Sequence, residues 1–135
     1  MLKTYQGSCH CGAVRFTARL DVAAGTAKCN RTICCKMRLW SVPADAAAFA
    51  LVAGDMALTD YIGRNAVAHH FFCTTCGIHA FDRIDTPNMT GQVCDNVPVA
   101  CLDGLDLDEL TAAPVTYYDG LHDKWGQRPD EVRHL

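Results

Sequence analysis

Apolar and polar residues alternate most clearly between Val14 and Leu20. Every second position there is apolar, and arginine or threonine lies between. Because successive side chains of a strand point to opposite faces, this alternation predicts a β-strand with one buried face. Other short apolar segments, bounded by glycine, aspartate or proline, predict further strands near residues 2–8 and at 49–53, 57–62, 67–72, 79–83, 92–101 and 115–118.

Helical signals are few. Pro43 suits the first turn of a short helix. Asp106 suits the N-cap of another, with Glu109 placed to reach back and complete a capping box. We therefore expect a mainly β fold of short antiparallel strands with a few short helical turns. The length of 135 residues predicts a single domain over residues 1–135.

Composition excludes several classes of protein. Half of the residues are hydrophobic and 20% are charged, which excludes a charge-rich disordered chain. The longest apolar run, residues 46–53, is far shorter than the roughly 20 residues of a membrane-spanning helix. A formal net charge of −3 without a long basic run argues against a nucleic-acid partner. We expect no membrane partner, and a cytoplasmic location because the start of the chain lacks the apolar block of a secretory signal.

Nine cysteines are the exceptional feature of the composition. An odd number cannot all pair as internal disulfides, and in a reducing compartment clustered cysteines more often bind metal or take part in chemistry. Two close pairs are suited to share one ion. Cys9 and Cys11 would point to the same side of an extended segment, and Cys73 and Cys76 form a C-x-x-C turn followed by a glycine.

A structural zinc on these four cysteines would join segments 61 residues apart and restrict the unfolded chain. The alternatives are four buried apolar cysteines or a redox-active C-x-x-C turn. The redox alternative is weakened because no βαβ pattern surrounds the motif. His79 follows the second pair closely, but it would be a fifth ligand and is not assigned to the cage.

Residues 28–38 form a third cysteine group, with four cations and no acid. This local positive charge favours the thiolate form of a cysteine and attracts a ligand that carries a carboxylate. The residues admit two interpretations equally: a reactive or ligand-binding site, and an ordinary solvated basic loop with buried cysteines.

Two motifs resemble those of a known family, the glutathione-dependent formaldehyde-activating enzymes, whose relatives include centromere protein V. Residues 7–16 (GSCHCGAVRF) are similar to the opening of the family, and residues 72–77 (FCTTCG) are similar to its second signature. Residues 96–103 and 119–125 give less specific matches. The resemblance extends over nearly the whole chain.

The resemblance implies a β-tent fold with a structural zinc on Cys9, Cys11, Cys73 and Cys76. It also implies a second, more exposed zinc on a C-x-C-x-x-C loop. That loop falls at Cys29, Arg31 and Cys34, so the middle ligand is missing.

Arginine stays protonated and has no lone pair to give to zinc, which leaves two sulfurs at the second site. Cys35, His10, His69 or His70 could replace the lost ligand, or the site could hold no metal. We expect one firmly bound zinc per chain and a substoichiometric second metal.

The activity that the resemblance implies is condensation of glutathione with formaldehyde to S-(hydroxymethyl)glutathione, a carbon–sulfur lyase reaction. Cys29 and Cys34 would be the catalytic residues through the second metal. Arg31, Lys36 or Arg38 would bind the carboxylates of the substrate. The alternative is a non-catalytic, zinc-stabilised β-tent module that binds a small thiol or a protein partner. Nucleic-acid binding, by analogy with centromere protein V, is disfavoured by the net charge.

Overall fold

The computed structural model describes residues 1–63, 66–85 and 93–135. Within these ranges the chain forms ten β-strands and two short α-helices, joined by turns and short 3-10 segments. The strands are β1 (Lys3–Ser8), β2 (Arg15–Leu20), β3 (Thr26–Cys29), β4 (Trp40–Asp45), β5 (Phe49–Ala53), β6 (Leu58–Ile62), β7 (Ala68–Cys73), β8 (His79–Ile84), β9 (Cys94–Pro98) and β10 (Val115–Tyr118), and the helices are α1 (Thr32–Met37) and α2 (Leu107–Ala112). The predicted mainly β fold is confirmed.

The strands form two sheets. The smaller sheet has the order β1-β2-β5, and the larger has the order β10-β3-β4-β9-β8-β7-β6. Neighbouring strands are antiparallel except β10 and β3, which run parallel. The alternating segment predicted as a strand is β2, with Phe16, Ala18 and Leu20 buried.

Aromatic side chains fill the space between the sheets. Phe16 and Phe49 come from the small sheet and stack at 5.1 Å between ring centroids. Phe81, from β8 of the large sheet, lies 4.6 Å from Phe49 and 4.8 Å from Phe71. Aromatic pairs at these distances stabilise a core beyond the area they bury. This cluster fixes the small sheet against the β7–β8 hairpin.

Pro43 does not begin a helix, so that prediction is wrong. Pro43 lies inside β4, where it pairs with Asn96 of β9. A proline suits the first turn of a helix only as a local preference, and here the pairing of β4 with both neighbouring strands overrides it. A single 3-10 turn, Ala46–Ala48, follows the strand.

The second predicted helix exists and is α2. Asp106 caps it, accepting a hydrogen bond from the Asp108 N–H at 2.9 Å. Glu109 does not close a capping box, because its carboxylate instead binds Lys3 Nζ at 2.8 Å.

The predicted strand 92–101 is shorter in the structure. It forms β9 and then a 3-10 turn, Val99–Cys101, while Gln92 lies outside the described residues. No helix in the described part of the chain is both long and apolar enough to cross a membrane.

Candidate metal centre and adjoining cavity

The sulfurs of Cys9, Cys11, Cys73 and Cys76 converge, all within 4.8 Å of one another. Cys11 Sγ lies 3.6 Å from both Cys9 Sγ and Cys73 Sγ. The first pair follows β1 of the small sheet, and the second pair lies at the β7–β8 turn of the large sheet. The cluster therefore joins the two sheets at one end of the core.

Both cysteine pairs lie in turns. The Cys9-x-Cys11 segment is not extended as predicted, since the Gly12 N–H donates to the Cys9 carbonyl at 3.2 Å. At the second turn the Gly77 N–H donates to the Cys73 carbonyl at 2.8 Å. Gly12 and Gly77 have φ values of +78° and +73°, which glycine adopts without the strain a Cβ would add.

Backbone N–H groups point at the sulfurs of the second pair. Hydrogen bonds from the Cys76 and Thr75 backbones lower the pKa of Cys73. Those from the Cys11 and Ile78 backbones lower the pKa of Cys76 to about 6. Because metals bind the thiolate, such donors favour the state of cysteine that a metal requires.

This cluster fits zinc by its donors and its spacing. Zinc–sulfur bonds of about 2.3 Å in a tetrahedron place sulfurs about 3.8 Å apart. The observed 3.6 Å separations are close to that value. Four thiolates and no open position are typical of a structural site.

The third cysteine group lies where β3 passes into α1. Cys29 ends β3, and Cys34 lies buried in α1. The pKa of Cys29 is lowered to about 6, first because the Cys34 thiol donates a hydrogen bond to it, then because of the backbone N–H groups of Arg31 and Gly120. The same hydrogen bond raises the pKa of Cys34, which remains the donor.

Cys29 and Cys34 belong to no cluster of three convergent ligands among the described residues. Cys35 is not among the residues that line the adjoining cavity, and His10 is exposed between two members of the four-cysteine cluster. With Arg31 at the position of the third sulfur, this loop does not fit the three-sulfur zinc that the resemblance implies.

Arg31 packs between the loop and the C-terminal segment. Its guanidinium lies over the Trp125 ring, 5.9 Å from the centroid. Gly120 allows this packing, because a Cβ there would lie 2.6 Å from Arg31 Cγ and 2.7 Å from Cys29 Sγ. Gly120 is therefore a functional candidate that the sequence reasoning did not single out.

Asn30 fixes the loop to the segment after β10. Its side-chain amide donates to Asp119 Oδ1 at 2.7 Å, and its carbonyl oxygen accepts from the Leu121 N–H at 2.9 Å. Asn30 is buried and so is Asp119. These bonds hold Cys29 and Arg31 against residues 118–121.

Replacing Asn30 with alanine is expected to lower the free energy of unfolding by about 1–3 kcal/mol, since it leaves the buried Asp119 carboxylate without its amide partner. Urea denaturation measures the change. Thr111→Ala, at an exposed position of α2, is the control and should stay within about 0.5 kcal/mol of the parent protein. Equal losses in the two variants would contradict the anchoring role of Asn30.

A cavity of about 780 Å³ lies beside this loop. One wall carries Cys29, Arg31 and Cys34, and another carries His70 and Asp82 from the β7–β8 hairpin. Such a volume is in the range of small-molecule sites, which are apolar concavities with a few convergent polar groups.

Of the three cations predicted to bind substrate, Arg31 lines the cavity, and Lys36 and Arg38 are absent from its lining. Lys36 is exposed on α1. Arg38 donates to the His134 carbonyl at 2.6 Å. Lys28 lines the cavity instead, with its Nζ bonded to the Leu135 carbonyl at 2.9 Å.

Comparison with known proteins identifies the group to which this chain is related. A profile of the glutathione-dependent formaldehyde-activating enzymes matches residues 4–118. The chain belongs to this family. The match includes both signatures, residues 7–16 and 72–77, so the resemblance found in the sequence is confirmed.

A solved structure supports the assignment. The crystal structure of a Rhodobacter sphaeroides protein from structural genomics is 29% identical to this chain, with a TM-score of 0.69. The similarity covers 82% of this chain and 99% of that one. As a member of the formaldehyde-activating family, the chain thus combines the expected fold with four cysteines that can hold a metal ion and a second loop that departs from the family pattern.

Proposed function

We propose that this protein binds glutathione or a similar small thiol in the cavity and catalyses its reversible addition to formaldehyde. The activity is that of an S-(hydroxymethyl)glutathione synthase, a carbon–sulfur lyase, within one zinc-stabilised domain. The observation that carries the proposal is the cavity itself, which is lined by Cys29, Cys34 and Arg31 together with His70 and Asp82. Family membership supports the choice of substrates.

Arg31 is placed to bind a carboxylate of the thiol. Among the described residues it forms no ion pair with an acidic side chain, so its guanidinium is available to a ligand. Arginine binds a carboxylate through two parallel N–H bonds, which fixes orientation as well as position. Trp125 supports the guanidinium from behind.

The addition forms one bond between the thiol sulfur and the carbonyl carbon. The carbonyl π electrons move to oxygen, and the thiol proton ends on the new hydroxyl group. Cys29 accepts hydrogen bonds from Cys34 and from two backbone N–H groups, so its sulfur is the group on this wall placed to receive that proton. Since two sulfurs do not make the family's second zinc site, no step is assigned to a metal there.

Zinc on the four-cysteine cluster would hold the two sheets together and supply no reacting atom. The cytoplasm is the compartment we propose, because these thiols must stay reduced.

Exchange NMR on mixtures of glutathione and formaldehyde tests the activity, because it measures formation and breakdown of the adduct at equilibrium. We expect the protein to raise the exchange rate above the uncatalysed rate. In Cys29→Ser this increase should be at least about tenfold smaller. Cys35→Ser is the matched control, since Cys35 lies in the adjoining helix α1 but not among the cavity-lining residues. Binding of glutathione without faster exchange would favour the non-catalytic module.

Gly120→Ala is expected to weaken glutathione binding at least about tenfold, because the added methyl group would displace Arg31 and Cys29. Calorimetric titration measures the affinity. Gly126→Ala is the matched control, since a Cβ there has no atom within 4 Å among the described residues. Equal affinities for the two variants would exclude this wall as the binding surface.

A further inference from the structure

A second group of convergent ligand atoms lies on the β7–β8 hairpin. His70 Nδ1 lies 2.7 Å from Asp82 Oδ1, and His79 Nε2 lies 2.5 Å from the same oxygen. One donor atom from each residue lies within 4.8 Å of the other two. Two imidazoles and one carboxylate thus face a single point.

A β-bulge produces this convergence. His70 and Asp82 are direct cross-strand neighbours, but residues three apart on a strand normally point to opposite faces. The register shifts between Phe71 and Phe72, so that Ala80 has no partner and His79 turns to the side of Asp82. Bulges that redirect side chains are common beside functional sites.

The group is buried in a way that ordinary core packing does not explain. His70 and Asp82 are 3% and 2% exposed, and no lysine or arginine in the described ranges pairs with this carboxylate. His70 Nε2 is buried, and nothing within residues 1–63, 66–85 and 93–135 bonds to it. The two imidazoles are the hydrogen-bond partners of the carboxylate, whereas His70 Nε2, the other ring nitrogen, stays unsatisfied at a cost in free energy.

The two residues also line the cavity, so an ion reaching the group has an entry path. Two neutral imidazoles and one carboxylate suit zinc and similar divalent transition metals. Three protein ligands leave a fourth position open, which is typical of catalytic rather than structural sites. The four-cysteine cluster, by contrast, is closed.

We propose that His70, His79 and Asp82 bind one divalent transition-metal ion beside the part of the cavity that His70 and Asp82 line. The chain therefore places its second metal on a different ligand set from the cysteine loop in which Arg31 has replaced a sulfur. The inference goes beyond the proposed function, because metal binding here requires no thiol substrate. An oxygen donor entering the cavity completes the coordination.

Titration of the reduced protein with Co²⁺ tests the site, because cobalt reports its ligands. Thiolate ligands give intense near-ultraviolet charge-transfer bands, whereas nitrogen and oxygen ligands give only weak visible bands. We expect the first equivalent of Co²⁺ per chain to bind tightly and to produce thiolate charge-transfer bands. A second equivalent should bind more weakly and add no further thiolate bands. His79→Gln and Asp82→Asn should each weaken the second equivalent at least about 100-fold, and Cys29→Ser should leave it unchanged.

His69→Gln is the matched control. His69 precedes His70 in β7, but its two ring nitrogens face separate carboxylates, Asp60 at 2.7 Å and Asp85 at 2.6 Å. Both ring nitrogens are thus engaged outside the group of His70, His79 and Asp82, and the His69→Gln variant should keep the second equivalent. Circular dichroism of each variant tests whether the fold persists, and the two overturning results are measured on the parent protein and on Cys29→Ser.

Two results would overturn the proposal. One is the absence of a second equivalent in the folded parent protein. The other is a second equivalent that carries thiolate bands and is lost in Cys29→Ser, which would assign the ion to the cysteine loop. Neither result depends on formaldehyde exchange, so the metal site and the proposed function fail independently.

Discussion

Cys73→Ser is expected to unfold the protein at room temperature. Cys73 is buried in the cluster that joins the two sheets, and a serine hydroxyl does not ionise to replace the lost thiolate. Metal binding contributes about 10–16 kcal/mol in zinc-finger peptides, which is as large as the typical stability of about 5–15 kcal/mol of a whole domain. Circular dichroism and metal analysis on the purified variant measure the loss of strand signal and of bound zinc.

Two controls accompany that variant. Cys35→Ser changes a half-buried cysteine outside the cluster, and Cys29→Ser changes the cavity loop. Both are expected to fold and to keep the tightly bound zinc. If Cys73→Ser folded with the stability of the parent protein, the four-cysteine cluster would have no structural role; equal loss of structure in Cys73→Ser and Cys29→Ser would remove the distinction between the two sites.

Arg31→Cys is expected to increase the bound metal by one equivalent per chain. The substitution restores the C-x-C-x-x-C spacing of the loop, with Cys29 and Cys34 already hydrogen bonded to each other. Three thiolates give a zinc site with one open position. Metal analysis measures the gain, and Co²⁺ loading should add thiolate charge-transfer intensity to the spectrum of the parent protein.

Arg31→Ser is the control for this gain, because it removes the guanidinium without adding a sulfur. It should bind no more metal than the parent protein, while both variants lose affinity for glutathione through loss of the carboxylate partner. If Arg31→Cys gained no metal, the missing sulfur would not be what prevents the loop from binding a metal ion.

The strand pattern was predictable where burial is one-sided. β2 has its apolar residues at every second position because one face of the small sheet covers the core. β3 was missed because its buried residue is the polar Thr26, and α1 because Arg31 at its N-cap makes no capping hydrogen bond. Pro43 was assigned to a helix from a local preference that its pairing partner in β9 overrides.

The residues of the candidate sites were likewise predictable only where the signal lies within a short stretch of sequence. The motifs at Cys9 and Cys73 drew attention to four sulfurs because both members of each pair are close in sequence. No spacing rule indicates that His79 and Asp82 share a face, since the bulge at Ala80 is what turns them together. Asn30 and Gly120 act through contacts between segments some 90 residues apart, which periodicity does not reveal.

The parallel pairing of β10 with β3 determines the order in which the chain can mature during translation. Strands β1 to β9 and the four clustered cysteines lie within residues 3–98, whereas the wall that carries Cys29 needs Tyr118, its register partner in β10, and Gly120 behind it. Contacts of such long sequence separation form slowly. On the ribosome, this wall of the cavity can therefore form only after residues 118–120 have been synthesised, when the other nine strands are already present in the nascent chain.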